Sequence, residues 1–244
     1  MNSTNLNTTT ELSNCRVYRV GGCPYFDFYN NDCLELMKTF PDNHFDLAVV
    51  DVPYGIMNIG MKITKPTRPN SYKSKPKHED KQWDIRPNIE YWNELFRVSK
   101  NQVVWGGNYL TDYLPVNGCW LFWDKINGDG SHFADGEFAW TSFKTSSKRL
   151  VCSVFHGLNG GKDRIHPTEK PIRVYDWVLG LFSQPNFKIL DTHLGSASIA
   201  IAVHKANVLD KMNLHLTGIE IDADYFQAAM NRIKKHVAQG TLPF

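Results

Sequence analysis

Short apolar runs alternate along this chain with stretches of helical period, and that alternation constrains the fold more than any other feature. Phe45-Asp46-Leu47-Ala48-Val49-Val50, Lys188-Ile189-Leu190-Asp191 and Leu214–Glu220 are brief, rich in aliphatic and β-branched residues, and stopped by turn signals, as buried strands are. Tyr25–Asn30, Gln102–Trp105, Cys119–Trp123 and Glu137–Phe143 read as further strands. Helices are expected over Cys33–Phe40 and over Pro87–Val98, the latter with Ile89, Trp92, Leu95 and Phe96 on one side. Two more are expected from His166-Pro167-Thr168-Glu169-Lys170-Pro171 through Phe182 and from Ser198 to about Ala206. A last helix starts near Asp222 and sets Phe226, Ala229, Met230, Ile233 and Val237 at helical spacing. Its acids, Asp222 and Asp224, stand at the start and Lys234 and Lys235 at the end, as the helix dipole favours. Strands alternating with helices imply an α/β fold with a mostly parallel, twisted sheet covered on both faces.

At 244 residues the chain has the size of one such domain, placed at residues 15–244 behind a tail of residues 1–14. That tail is rich in Asn, Thr and Ser and reads as flexible rather than as a signal peptide. A net charge of +2 means that any nucleic-acid-binding face must come from local clustering of cations. Five cysteines (Cys15, Cys23, Cys33, Cys119, Cys152) contain no C-x-x-C pair. Neither a zinc site nor a disulfide framework is expected, no metal is called for, and a cytoplasmic location fits. No apolar run approaches membrane-spanning length.

Three features carry chemistry. The Phe45–Val50 strand runs into Asp51-Val52-Pro53-Tyr54-Gly55, which packs a carboxylate, a peptide carbonyl, a rigid proline and an aromatic ring into four residues. A planar base with an exocyclic amino group needs that set: two acceptors for its N–H bonds and a ring to stack on its face. The same tetrapeptide is also an ordinary strand-to-turn sequence. The second feature is Lys188–Ser198, a strand, a turn of small residues and a helix start, where backbone can approach a ligand closely. Glu220 closes the next strand, where an acid suits ribose hydroxyls. The turn is not G-x-G-x-x-G, which disfavours a dinucleotide dehydrogenase. The third feature is the stretch 56–82, which keeps no hydrophobic period and carries Lys62, Lys65, Arg68, Lys73, Lys75 and Lys77. It reads either as a solvated charge run or as a functional loop.

Four segments in order resemble the S-adenosylmethionine-dependent DNA amino-methyltransferases of the permuted β group. Asn31-Asp32-Cys33 is similar to their Gly-Asp-Cys, and Asp51-Val52-Pro53-Tyr54 to their catalytic Asp-Pro-Pro-Tyr. His166-Pro167-Thr168-Glu169-Lys170-Pro171 is similar to His-Pro-Thr-x-Lys-Pro, and Asp191–Ala197 to Asp-x-Phe-x-Gly-Ser-Gly. The resemblance covers roughly Tyr29 to Ala238 and implies a Rossmann-like fold with circularly permuted motif order. Three departures from the pattern bear on the site. Val52 keeps the carbonyl that its position supplies, His193 replaces phenylalanine, and Ala197 replaces glycine and must avoid positive φ unless it is strained.

The resemblance implies that Asp51 and the Val52 carbonyl accept hydrogen bonds from the amino group of a flipped base, with Pro53 stiffening the turn and Tyr54 stacking on the base. The cofactor, S-adenosylmethionine, would contact Asp32 at its adenine amino group, Glu220 at the ribose, and Asp191, Gly195 and Ser196 around the methionine portion, with Cys33, Asp51 and His193 also in its site. Thr168 and Lys170 would approach its carboxylate. Double-stranded DNA would meet the cations of 56–82, with a short recognition insertion at about 144–165. Trp105 and Trp123 are expected in the core or a pocket wall. Asp at the first catalytic position points to N6-adenine, since cytosine enzymes of the group usually carry Ser there; N4-cytosine is the alternative. A DNA-binding module without catalysis is the rival from another class. A restriction-modification setting and a homodimer are both compatible with the sequence.

Overall fold

The computed structural model describes residues 11–12, 15–56, 84–126, 134–154, 165 and 169–239. The cations Lys62 to Lys77, Thr168 and most of 155–165 therefore lie outside the described residues.

Five parallel strands form the centre: β3 (Phe26–Asn30), β4 (Leu47–Val50), β5 (Gln102–Trp105), β9 (Lys188–Asp191) and β10 (His215–Glu220). With β1 (Glu11–Leu12), β2 (Cys15–Tyr18), β6 (Trp120–Asp124), β7 (Gly136–Thr141) and β8 (Lys148–Val151) they make a ten-stranded sheet. Its order is β1-β2-β3-β10-β9-β4-β5-β7-β6-β8. Alternate residues of the central strands feed two separate cores. Leu47, Val49, Val103 and Trp105 face the helices α3 (Ile172–Phe182), α4 (Ser198–Leu209) and α5 (Ala223–Ala238). Ala48, Val50 and Val104 face α1 (Cys33–Met37) and α2 (Ile89–Val98). Burial on both sides is why these strands read as unbroken apolar runs. Below them, the Asp46 carboxylate accepts the Lys188 N–H at 2.9 Å and the Lys100 ammonium at 2.7 Å, pinning β4 to its neighbours.

The expected elements are all present, with ends set by side-chain chemistry. Asn88 caps α2 by accepting the Tyr91 N–H, so that helix begins after Pro87. The first helix stops at Met37, and Thr39 and Phe40 continue as tighter turns onto Leu36 and Met37. Three outer strands lay unseen. β1 and β2 fall in or beside the segment read as tail, and Leu12 aligns with Cys15. β8 lies within the stretch read as a recognition insertion and runs parallel to β6. Its Lys148 and Arg149 are exposed, so it shows no strand-like alternation. No helix among the described residues is long and apolar enough to cross a membrane.

Ala197 takes the strained alternative: it adopts φ 59° and ψ 31°, a left-handed conformation that a side chain disfavours. The turn after β9 forces it. The Leu194 N–H is tied to the Ile219 carbonyl at 2.8 Å, Gly195 turns at φ 51°, and the Ala197 N–H closes onto the Leu194 carbonyl at 2.8 Å. The conformation costs about 1–2 kcal/mol in a residue with a Cβ. Because the methyl is fully buried, its own burial (about 0.8 kcal/mol) and the lower chain entropy of alanine offset much of that. Ala197→Gly is therefore expected to change stability by less than about 1 kcal/mol, whereas the β-branched Ala197→Val should cost more than about 2 kcal/mol. Urea unfolding of the two variants checks both figures.

Candidate active site

Parallel strands that all end on one edge bring their C-terminal residues together, and here four of those ends are acidic or run into acids. Along the edge stand Asn30 leading to Asp32, then Glu220, Asp191 and Asp51. β9 stops two residues lower than β10, since Asp191 aligns with Gly218, and the turn 192–197 fills that step.

The turn is held from both sides. Glu220 Oε2 accepts the Gly195 N–H at 2.9 Å, and Oε1 accepts the Asp222 N–H at 3.0 Å at the start of α5. Asp191 Oδ1 accepts the His193 N–H at 3.0 Å. Tyr91 reaches across from α2, its hydroxyl 2.7 Å from Thr192 Oγ1, which lies 2.9 Å from His193 Nδ1. Burial pushes the Asp191 carboxyl up to about 8, with Asp51 and Glu220 adding to the rise against the His193 N–H bond. Burial likewise raises Glu220 and pushes His193 down to about 4, so its ring is neutral at physiological pH. A turn crowded with acids that resist ionising is suited to a ligand that brings positive charge. Arg232 of α5 donates to the Ser196 carbonyl at 2.8 Å and Ser198 Oγ at 3.1 Å, and pairs with the buried Glu169 at 2.7 Å.

Asp32 Oδ1 accepts the N–H groups of Leu34 and Glu35 and so caps α1. The Asn30 amide donates to the Glu220 carbonyl at 2.8 Å, which seats this corner against β10. The Cys33 thiol is pushed up to about 12 by burial and by Asp32.

In the Asp51 motif the Tyr54 hydroxyl donates to Asp51 Oδ1 at 2.6 Å, and the Tyr54 ring stacks on Tyr109 with centroids 5.3 Å apart. Gly106, at φ 67°, passes directly beneath that ring. The Gly55 N–H donates to Asp84 Oδ1 at 2.7 Å, joining the two ends of the stretch 57–83. Lys170 donates to Asp51 Oδ2. Its Nζ also lies 3.1 Å from Glu137 Oε2, and Glu137 Oε1 accepts from Lys125 at 2.6 Å. Asp51, Lys170, Glu137 and Lys125 thus form a chain of alternating charge. Beneath it lie the buried indoles of Trp105, 5.4 Å from Lys170 Nζ, and Trp123, 5.2 Å from Lys125 Nζ. Burial opposes the charge on Lys170, but Asp51 and Glu137 outweigh it and raise its pKa.

Asp32, Asp51, Tyr54, Lys170, Asp191, Gly195 and Glu220, each predicted from the sequence, lie along one edge. Lys170, expected to approach a cofactor carboxylate, is engaged here with Asp51. Glu137, Lys125, Tyr91 and Gly106 were missed as site residues. Glu137 was legible only as the first residue of a strand, and Gly106-Gly107 only as a break.

Comparison with known proteins follows the same line. No family model matches the chain. The M1.HpyAVI–SAM complex superposes with a TM-score of 0.55 at 17% identity, over 85% of this chain and 99% of that one. The PvuII DNA methyltransferase, cytosine-N4-specific, gives 0.54 at 13% identity, over 88% and 92%. The fold is that of the Rossmann-like methyltransferases. In sequence, the chain is 23% identical over 221 residues to "Putative methylase YubD" of Escherichia coli K12, covering 84% of this chain and 89% of that protein. Within this methyltransferase fold, the Asp51 motif precedes the Asp191 turn in the chain although β4 and β9 are neighbours in the sheet.

Gly106→Ala tests the aromatic seat. The new Cβ would fall 2.0 Å from Tyr54 Cε1 at a backbone angle that favours glycine. The variant is expected to lose about 3 kcal/mol in chemical denaturation.

Proposed function

We propose that this protein transfers a methyl group from S-adenosylmethionine to the exocyclic amino group of a base flipped out of double-stranded DNA, and that the base is adenine, giving N6-methyladenine. The observation that carries the reading is the Asp51 carboxylate at the end of β4, beside the acid-lined turn of β9 and β10 on the same edge. The residues fit the cofactor's chemistry. Asp191 is buried and close to Asp51 and Glu220, so a sulfonium and an ammonium group would relieve their mutual repulsion. Asp191, Gly195, Ser196 and His193 would hold the methionine portion, Glu220 the ribose, and Asp32 and Cys33 the adenine; Thr168 would complete the set. When bound, the cofactor supplies an activated methyl on a good leaving group.

The chain's own residues orient and polarise. Asp51 and the Val52 carbonyl accept the two N–H bonds of the target amino group, which draws its lone pair out of conjugation with the ring. Positive charge then grows on that nitrogen, so Asp51 is worth more in the transition state than before it. Tyr54 fixes the carboxylate through its hydroxyl and extends the stack begun by Tyr109 toward the base. In-line positioning supplies much of the rate. Lys62, Lys65, Arg68, Lys73, Lys75 and Lys77 are read as phosphate contacts, and residues near 144–165 as a source of sequence preference. The adenine reading rests on Asp at position 51. The N4-cytosine reading keeps its place because a structural neighbour carries that specificity.

Incubation with unmethylated genomic DNA and isotope-labelled cofactor, followed by digestion to nucleosides, tests both levels. N6-methyladenine is expected; N4-methylcytosine as the only product would overturn the adenine reading, and no labelled base at all would overturn the activity. Asp51→Ala should lower methyl transfer by at least about 100-fold with the fold retained. Cofactor binding should release protons. With its carboxyl raised to about 8, Asp191 is mostly protonated at pH 7 in the free protein, a bias that lowers stability as pH rises from about 4 to 8. A cationic ligand reverses it, so up to about one proton should leave on binding and affinity should rise from pH 6 to 8. Calorimetry in two buffers of different ionisation enthalpy measures the count.

A further inference from the structure

Lys170 holds the carboxylate that the target amino group must use. Tyr54 takes Asp51 Oδ1 and the Lys170 ammonium takes Oδ2, so Asp51 stands neutralised by a buried cation. If that pairing persisted during methyl transfer, an ammonium would face the positive charge growing on the amino nitrogen, and most of the advantage of Asp51 would be lost. Nor can the lysine simply withdraw into water. Its side chain is 3% exposed, and a buried ammonium without a partner is costly.

A second acceptor is already in place. Glu137 Oε2 lies 3.1 Å from Lys170 Nζ, a longer contact than the one the lysine makes to Asp51. Its sister oxygen is tied to Lys125, which fixes the carboxylate in direction. Burial by itself would raise the Glu137 carboxyl, but Lys170 and Lys125 outweigh it and keep it ionised. A small rotation of the flexible lysine stem would shorten that contact and free Asp51 Oδ2. We propose that Lys170 is a placeholder for the target amino group, and that Glu137 is the positioning residue that takes the lysine when the base arrives. The inference rests on the amino-methyltransferase reading and adds to it a step between base flipping and methyl transfer.

The test is Glu137→Gln in the full chain, assayed with unmethylated genomic DNA and labelled cofactor. A neutral amide competes poorly with Asp51 for an ammonium, so KM for DNA should rise at least tenfold while cofactor affinity by calorimetry stays within twofold of wild type. Glu137→Asp, which keeps the charge, should recover part of that loss. Lys125→Met is the second variant, and its effect has the opposite sign. Without Lys125 pulling on it, Glu137 draws Lys170 more strongly, and KM for DNA should fall. A merely structural role for the charge chain makes all three variants worse. The proposal is overturned by Glu137→Gln with the KM of wild type, or by Lys125→Met raising KM as Glu137→Gln does. An inert wild-type protein would remove the underlying reading and this inference with it.

Discussion

Everything at the candidate site depends on the parallel hydrogen-bonded ladder β3-β10-β9-β4-β5. Parallel pairing sets the strands in one direction, and burial on both faces leaves only their ends for polar chemistry. Glu220, Asp191 and Asp51 are therefore neighbours in space without being neighbours in the chain. The energy for keeping three carboxylates close comes from the two hydrophobic layers, and the carboxylates answer locally: Asp191 resists ionising, Glu220 spends its oxygens on backbone N–H groups, and Asp51 takes a lysine.

Much of this was legible in the sequence, for reasons that differ by residue. Central strands bury both faces and so declare themselves as apolar runs, which is why Phe45–Val50 and Lys188–Asp191 could be read directly. β8 lies at an edge with Lys148 and Arg149 in solvent, and nothing in its pattern separates it from a loop. The motif residues were readable because each carries its chemistry within a few positions of a strand end. Glu137 and Lys125 were not, because what matters about them is a pairing across the sheet with residues far along the chain. Ala197 is a third kind of case. Its propensity argued for negative φ, and the closure of the turn against Ile219 overrode it.

Lys170 connects the two halves of the edge. It sits just before α3, beside Glu169, which Arg232 of the last helix holds, and Arg232 also grips the turn at Ser196. The lysine at Asp51 and the turn after β9 are thus braced by one arginine, so a disturbance at either is felt by the other.

The position of β10 in the sheet has a consequence for how the molecule comes into being. Of the described strands the last in sequence, β10, lies inside the sheet between the early β3 and the late β9, so Phe26–Asn30 has no partner on that side until His215–Glu220 has been synthesised. Long-range pairing of this kind is slow and pays its loop-closure entropy before any reward. The nascent chain carries Asp51 early but has neither Glu220 nor Arg232 to complete the edge. The residues that β10 and α5 contribute to the edge can join it only after those late elements have been synthesised.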